Sequence, residues 1–204
     1  GLCFIRKLSL IISATFHIQT VRAKLKNTTL NSIDNILELE DKGNFDKAFD
    51  LYSQLHQTNP DDFEIWKHFY FFLWIAIEDA TAEFHDRINI RQRLQAMFDD
   101  GKNRFQDIAE FKFIAGWTVL ISPYEYGDYE DLEKEGMELL KQAHEDMPDN
   151  MIYKMAYLGS FDSNKAERLK VEKEANSFVL KRFAGTGFLN SYFRDVLNRE
   201  NKKA

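Results

Sequence analysis

The chain has 204 residues with 33 acidic and 27 basic side chains, a formal charge of −6 and an isoelectric point near 5.4, which disfavours general nucleic-acid binding. Apolar residues make up 44% of it and only 9 glycines and 3 prolines interrupt it, so global disorder and a many-stranded fold are both disfavoured. Its single cysteine, Cys3, excludes an intrachain disulfide and a multi-cysteine zinc site. We therefore predict one all-α domain over residues 1–204, with about nine or ten helices, in the cytoplasm.

Residues 1–27 have two interpretations. Their basic start, the apolar run from Leu8 to Phe16 and the segment Val21-Arg22-Ala23 are typical of a signal peptide, which would make the protein secreted or periplasmic. Alternatively, apolar residues at helical spacing over residues 8–25 predict an ordinary packed helix, which we favour. The apolar run is too short to span a membrane.

Residues 31–62 carry the pattern of two helices joined by a turn. Apolar positions predict a first helix over about residues 31–42. After Gly43, steps of three and four residues place apolar side chains on one stripe of a second helix, with Asn44 as its cap and Pro60 as its stop. The stripe consists of Phe45, Ala48, Leu51, Tyr52 and Leu55.

A third helix is predicted to follow Pro60 and to lie at the centre of the fold. Asp61 is its expected cap, and Glu64, three residues later, would complete a variant of the capping box. Residues 69–77, FYFFLWIAI, are apolar on every side of a helix. Such a helix is stable only when neighbours cover it all round.

Together these segments resemble a tetratricopeptide repeat over about residues 33–74. The residues that match the family pattern are Gly43, Phe45, Ala48, Tyr52, Leu55, Pro60 and Trp66. The resemblance implies stacked helical hairpins whose first helices line a concave face that binds a protein or peptide. Carried over to matching positions, that face comprises Asp34, Leu37, Asp41, Lys67, His68, Phe71 and Trp74.

The chain departs from the family at three positions and loses the repeat after residue 77. Ser32, Ile36 and Tyr70 stand where the family has a bulky aromatic residue, a small residue and a glycine. We therefore divide the domain into hairpins at residues 28–77, an irregular helical insertion at 78–136 and C-terminal helices at 137–204. A weak echo of the repeat lies at residues 137–158.

The second half of the chain is predicted to be helical. A long amphipathic pattern over residues 79–100 is expected to end at Gly101, and a helix over 105–121 to end at Ser122-Pro123. Two last helices are predicted at 164–183 and 188–198. The glycines between these two lack a P-loop lysine and follow a helix, so they do not predict a phosphate site.

Charge is distributed unevenly along the chain. Residues 1–27 carry five bases and no acid, and residues 165–204 carry ten bases and five acids, which leaves −16 for residues 28–164. An acidic surface attracts a basic partner, although it also serves plain solubility. In the tyrosine-rich stretch 122–135, the expected partner-contacting residues are Tyr124, Glu125, Tyr126, Asp128, Tyr129, Glu130 and Asp131.

The sequence predicts no cofactor and no metal site, since its five histidines are scattered without an i,i+4 pair. We predict a non-enzymatic module that binds a protein or peptide, with its oligomeric state open. One alternative is an immunity or antitoxin protein that neutralises a basic toxin through the acidic surface. Another is a helical enzyme with a carboxylate or histidine site, for example around His85 and Asp86.

Overall fold

The computed structural model describes residues 32–198 of the chain. The helix or signal peptide predicted over residues 1–27 lies outside the described residues, as do residues 199–204. Within the described range the chain forms ten α-helices and one 3₁₀ turn, and it contains no strand. The prediction of an all-α fold with nine or ten helices is confirmed.

The helices follow one another with short connections. Their bounds are α1 at residues 32–41, α2 Phe45–Thr58, α3 Phe63–Asp79, α4 Ala82–Ile88, α5 Ile90–Phe105, α6 Ala109–Ile121, the 3₁₀ turn Pro123–Glu125, α7 Tyr129–Asp146, α8 Met151–Gly159, α9 Lys165–Arg182 and α10 Phe188–Leu197. Most consecutive helices pack against each other, and α3 also contacts α5, α6 and α10.

Helix α3 forms the centre of the core, as its apolar run predicts. Every side chain from Ile65 to Trp74 is at most 8% exposed. Tyr52 of α2 stacks on Phe69 with ring centroids 5.3 Å apart, and Trp66 stacks on Tyr70 at 4.7 Å. Aromatic pairs of this kind add to the free energy gained from burial itself.

The ends of α2 and α3 are set by local hydrogen bonds. Asn44 caps α2 as predicted, since its side chain accepts from the backbone N–H of Lys47 at 3.3 Å. The predicted cap of α3 is wrong by one residue, because Asp62 and not Asp61 accepts from the N–H of Glu64, at 3.0 Å. The turn that bonds Asp62 N–H to Asn59 leaves Asp61 in solvent, where it pairs with Arg104.

The long helix predicted over residues 79–100 is two helices. Asn89 adopts a left-handed backbone conformation with φ of 51° and separates α4 from α5. Asparagine adopts this conformation more readily than most residues, because its short polar side chain can bond locally. Thr81 starts α4 by accepting from the N–H of Phe84 at 3.3 Å.

The prediction that Gly101 ends a helix is also wrong, because α5 continues through it to Phe105. A Cβ atom at residue 101 would lie 2.3 Å from Cζ2 of Trp66, so glycine is required by close approach inside the helix. The Trp66 ring donates to the backbone carbonyl of Met97 at 2.8 Å and fixes this approach. The following helix therefore begins at Ala109 and not at residue 105.

The two C-terminal helices lie where the sequence predicts them. Asn164 caps α9 by accepting from the N–H of Ala166 at 2.9 Å, and glycine residues separate α9 from α10. Gly187 has φ of 83°, in the region that favours glycine. This turn brings α10 back across the chain to pack on α3.

Candidate functional site

The concave face predicted for a partner is filled by the chain's own helix α10. The Phe71 ring contacts the rings of Tyr192 and Phe193, with centroids 5.5 and 5.3 Å apart. Leu37 lies against the turn that starts α10. A Cβ atom added to Gly187 in this turn would be 2.6 Å from Cδ2 of Leu37. The predicted open groove is therefore closed in this structure.

Burial excludes most of the predicted groove residues from contact with a partner. Leu37, Lys67, His68 and Phe71 are each at most 8% exposed and line neither of the clefts described below, so they form no open face in this structure. Trp74 is also buried, at 7%, but it lines one of these clefts. Asp41 accepts a hydrogen bond from the N–H of Gly187 at 3.1 Å. Asp34 stays exposed on α1 and does not line the α3–α6 cleft described below.

The charged and polar side chains beneath the predicted groove serve the core. Lys67 forms salt bridges to Glu64 at 2.8 Å and to Glu110 at 3.3 Å. Burial, with the nearby charge of Lys67, lowers the pKa of His68 to about 3, so this imidazole is neutral at physiological pH. The salt bridge from Lys67 to Glu110 joins α3 to α6.

The 3₁₀ turn in the predicted acidic stretch is fixed from below by hydroxyl groups. The Tyr70 hydroxyl lies 2.7 Å from the Tyr126 hydroxyl and 2.6 Å from that of Thr118. Burial raises the pKa of Tyr70 and of Tyr126, and both stay protonated. With Tyr126 held inward, Tyr124 points outward and is 61% exposed.

Other residues of the predicted acidic stretch stabilise the start of α7. Asp128 caps the helix by accepting from the N–H of Glu130 at 3.2 Å. Glu130 and Asp131 lie in the first turn of α7, where negative charge interacts favourably with the helix dipole. Tyr129 is 53% exposed, but neither it nor these acids line the two clefts described below.

Three predicted residues, Trp74, Tyr124 and Glu125, meet at a cleft between the end of α3 and the end of α6, which we name the α3–α6 cleft. Its volume is about 430 Å³. The other lining residues are Ile75, Ile77, Glu78, Asp79, Ile121, Ser122 and Tyr192.

The base of the α3–α6 cleft is aromatic. The rings of Trp74 and Tyr192 meet edge to face with centroids 5.1 Å apart. The Tyr192 hydroxyl accepts from the indole N–H of Trp117 at 3.1 Å, which fixes its position. At the mouth, Ile121 is 51% exposed. An apolar base with exposed apolar side chains at its mouth is typical of a site that buries part of a partner.

The acidic residues at the rim of the cleft do not stabilise α3, the helix that carries them. Glu78 and Asp79 are exposed in the last turn of α3, which contains no basic residue. The carbonyl end of a helix carries partial negative charge, so acids there are unfavourable. Neither carboxylate forms a salt bridge with another residue in the described part of the chain. The rim therefore carries negative charge that no salt bridge within the described residues neutralises, although the charge of Glu78 acts on Arg91.

Glu125 is the third carboxylate of the cleft and differs from the other two. It is 3% exposed and accepts from Arg91 Nε at 2.5 Å and from Arg91 Nη2 at 3.2 Å. Its backbone carbonyl accepts from the Gln95 side chain at 2.9 Å. A buried carboxylate needs such a partner, since desolvation without one is costly.

Sequence reasoning missed Glu78, Asp79, Ile121 and Tyr192. The two acids were visible in principle, because they follow a long apolar run without any base at the helix end. Ile121, as the last residue before Ser122-Pro123, was also visible as an apolar residue at a helix end. Tyr192 had no local signal, because it reaches the cleft only when α10 packs on α3.

A larger cleft of about 710 Å³ lies between α8 and α9 and is lined by Phe113, Tyr153, Phe178 and Arg182, among others. Most of its charges are already paired within the chain. Glu110 bonds to Lys67 and Arg182, and Asp146 bonds to Lys112 at 2.5 Å. The paired charges of the larger cleft select neither a cation nor an anion. The α3–α6 cleft, whose acidic rim is unpaired within the described residues, is therefore the stronger candidate site.

Residues 32–198 contain no candidate metal site and no candidate membrane-spanning helix. No group of three or more histidine, cysteine, aspartate or glutamate residues in that range could hold a metal ion. The His85 ring bonds to the carbonyl of Ala76 at 2.8 Å and joins α4 to α3, while Asp86 is exposed. Within the same range, no helix is long and apolar enough to cross a bilayer.

Comparisons of the chain with protein-family models, with curated proteins and with solved structures give no match. The resemblance to tetratricopeptide repeats stays a prediction.

Proposed function

We propose that this chain is a helical, non-enzymatic protein-binding module that takes a basic segment of a partner protein in the α3–α6 cleft. An apolar side chain of the partner lies on Trp74 and Tyr192, and an arginine or lysine meets Glu78 and Asp79. This mode combines an apolar anchor with charge selection, as in many peptide-binding grooves.

The observation that carries the proposal is the pair of carboxylates at the carbonyl end of α3. Both are exposed, neither is in a salt bridge with another described residue, and the helix dipole opposes both. They border a cleft whose mouth exposes Ile121 and Tyr124. A bound cation relieves the unfavourable charge while an apolar anchor is buried, so both features favour the same partner.

A synthetic peptide tests the proposal by fluorescence anisotropy. The probe carries fluorescein, has leucines at helical spacing and has arginines at the other positions; in its matched control, glutamates replace the arginines. We expect the folded chain to bind the arginine peptide and to bind it less well as salt rises, because exposed charges are screened. Equal binding of both peptides would contradict the charge selection.

Charge reversal locates the site. The double substitution Glu78→Lys and Asp79→Lys should weaken binding by about tenfold or more, since two attractive contacts become repulsive. The matched control reverses Asp34 and Asp162, which are exposed and do not line the cleft. Equal loss in both double variants would mean that total charge and not the cleft holds the peptide.

A further inference from the structure

Arg91 of α5 holds the buried carboxylate of the α3–α6 cleft, while Arg91 itself lines a neighbouring cleft with Ile77 and His85. The Arg91 side chain is 69% exposed, whereas the Glu125 side chain that it bonds is 3% exposed. The hydrogen bonds that Arg91 donates to Glu125 raise the pKa of Arg91, and the negative charges of Glu125 and Glu78 act in the same direction. One guanidinium of the chain therefore already lies among the acidic groups of the cleft.

Glu125 depends on this ion pair more than Arg91 does. Glu125 requires a cation, because a buried carboxylate without one is strongly disfavoured. Arg91 has no such requirement, since it is mostly in water and its other side-chain hydrogen bonds are to no described residue. A guanidinium from elsewhere can meet the same two carboxylate oxygens with the same paired geometry.

We infer that Arg91 occupies the cation position of the α3–α6 cleft in the free chain, and that an arginine of the partner takes over Glu125 when it binds. The inference rests on the proposed function and specifies how the partner's charge is recognised. Glu78 and Asp79 draw the basic segment to the rim, and its guanidinium replaces that of Arg91 on Glu125. Arg91 then extends into solvent.

If Arg91 competes with the partner's arginine for Glu125, removing Arg91 should strengthen binding, whereas most substitutions in a binding site weaken it. Arg91→Gln removes the internal competitor and should tighten binding of the arginine peptide by roughly three- to tenfold, in the range of one close charge pair. Arg91→Lys, which grips Glu125 less well than the planar guanidinium, should give a smaller gain. The lysine variant also keeps the test decisive where the glutamine variant folds poorly, which circular dichroism shows.

The matched control is Arg93→Gln, on the same helix. Arg93 lies over the ring of Phe49 with its guanidinium carbon 5.7 Å from the ring centroid, and it does not line the cleft. This variant loses the same charge, so it measures the part of any gain that comes from total charge. The second comparison is Arg91→Gln with Glu125→Gln, which should cancel the gain because the contested carboxylate is gone.

The outcomes separate the inference from the proposed function. Tighter binding by both Arg91 variants than by Arg93→Gln, with the gain lost on Glu125→Gln, supports the inference. Binding that is unchanged or weaker in the Arg91 variants overturns it, as does a gain that survives Glu125→Gln. If the unaltered chain binds through Glu78 and Asp79 while the Arg91 variants show no gain, only the inference fails. If neither the unaltered chain nor Arg91→Gln binds the peptide, both proposals fail.

Discussion

The carboxylate of Glu40 accepts a hydrogen bond from the backbone N–H of Phe188 at 2.7 Å, across 148 residues of chain. The Tyr52 hydroxyl donates to the same carboxylate at 2.7 Å. A side chain of α1 thus caps α10 and joins the first hairpin to the last helix. Because α10 carries Tyr192 into the α3–α6 cleft, this contact also supports the candidate site.

Glu40 should make the stability of the fold depend on pH. Burial raises its pKa to about 7 from 4.5, although Phe188 and Tyr52 donate to it. A raised pKa means that the folded state favours the protonated acid, so this stabilisation is complete below about pH 4.5 and is lost as pH rises through 7. At pH 8 we expect Glu40→Gln to unfold at a higher urea concentration than the unaltered chain. Its free energy of unfolding should be larger by up to roughly 3 kcal/mol.

Glutamine suits this position because its carbonyl accepts from Phe188 N–H and its amide donates to the Tyr52 hydroxyl. At pH 5 the two chains should differ by less than about 1 kcal/mol. The control is Glu38→Gln, an exposed acid on the same helix that pairs with Lys42. Parallel pH profiles for Glu40→Gln and Glu38→Gln would contradict the prediction.

His68 should act in the opposite direction on acidification. Its pKa is lowered to about 3 in the folded chain from 6.5, chiefly by burial. Below pH 6.5 the unfolded chain takes up a proton that the folded chain refuses, so stability falls as pH falls towards 3. We expect His68→Leu to lose roughly 3 kcal/mol less than the unaltered chain between pH 6.5 and 4. Urea unfolding at both pH values measures this, and equal losses would contradict it.

Gly101→Ala should destabilise the fold even though alanine favours helices. Propensity alone predicts a gain of about 1 kcal/mol. The added Cβ would lie 2.3 Å from the Trp66 ring and 2.7 Å from the Phe111 ring, both inside the core. We expect a net loss of about 1–3 kcal/mol by urea unfolding, because overpacking forces buried rings to move.

The matched control for Gly101→Ala is Gly159→Ala at the end of α8. No atom lies within 4 Å of the Cβ that this substitution adds, and Gly159 has no positive φ. It should be neutral or slightly stabilising. A gain in stability at residue 101 equal to that at residue 159 would show that Trp66 and Phe111 adjust freely.

Neutralising the acidic rim should stabilise the chain while it removes the proposed binding charge. Glu78→Gln and Asp79→Asn each take a negative charge from the carbonyl end of α3, worth about 0.3–1 kcal/mol at low salt. Thermal unfolding at low and high salt checks the size and the screening. Glu130→Gln, in the first turn of α7, should have the opposite sign. A loss of stability in both rim variants would mean that these acids serve the fold.

The sequence by itself determined the local structure of this protein. Asn44 and Asn164 begin helices, and the all-round apolar run of residues 69–77 lies in the central helix, because caps and periodicity act over a few residues. The same reasoning brought Trp74, Tyr124 and Glu125 forward as binding residues, and these three do meet at one cleft. It failed at Asn89 and Gly101, where a single residue breaks or continues a helix according to its neighbours in space.

Only the tertiary structure decided which faces remain open. The resemblance implied a free concave face, but α10 covers it, because burying Leu189, Phe193 and Leu197 gains more free energy than leaving that face in water. Likewise, Glu78 and Glu125 are the same residue type, yet one is exposed without a salt bridge to any described residue and the other is buried under Arg91. Burial and pairing depend on residues distant in sequence, so periodicity and capping carry no information about them.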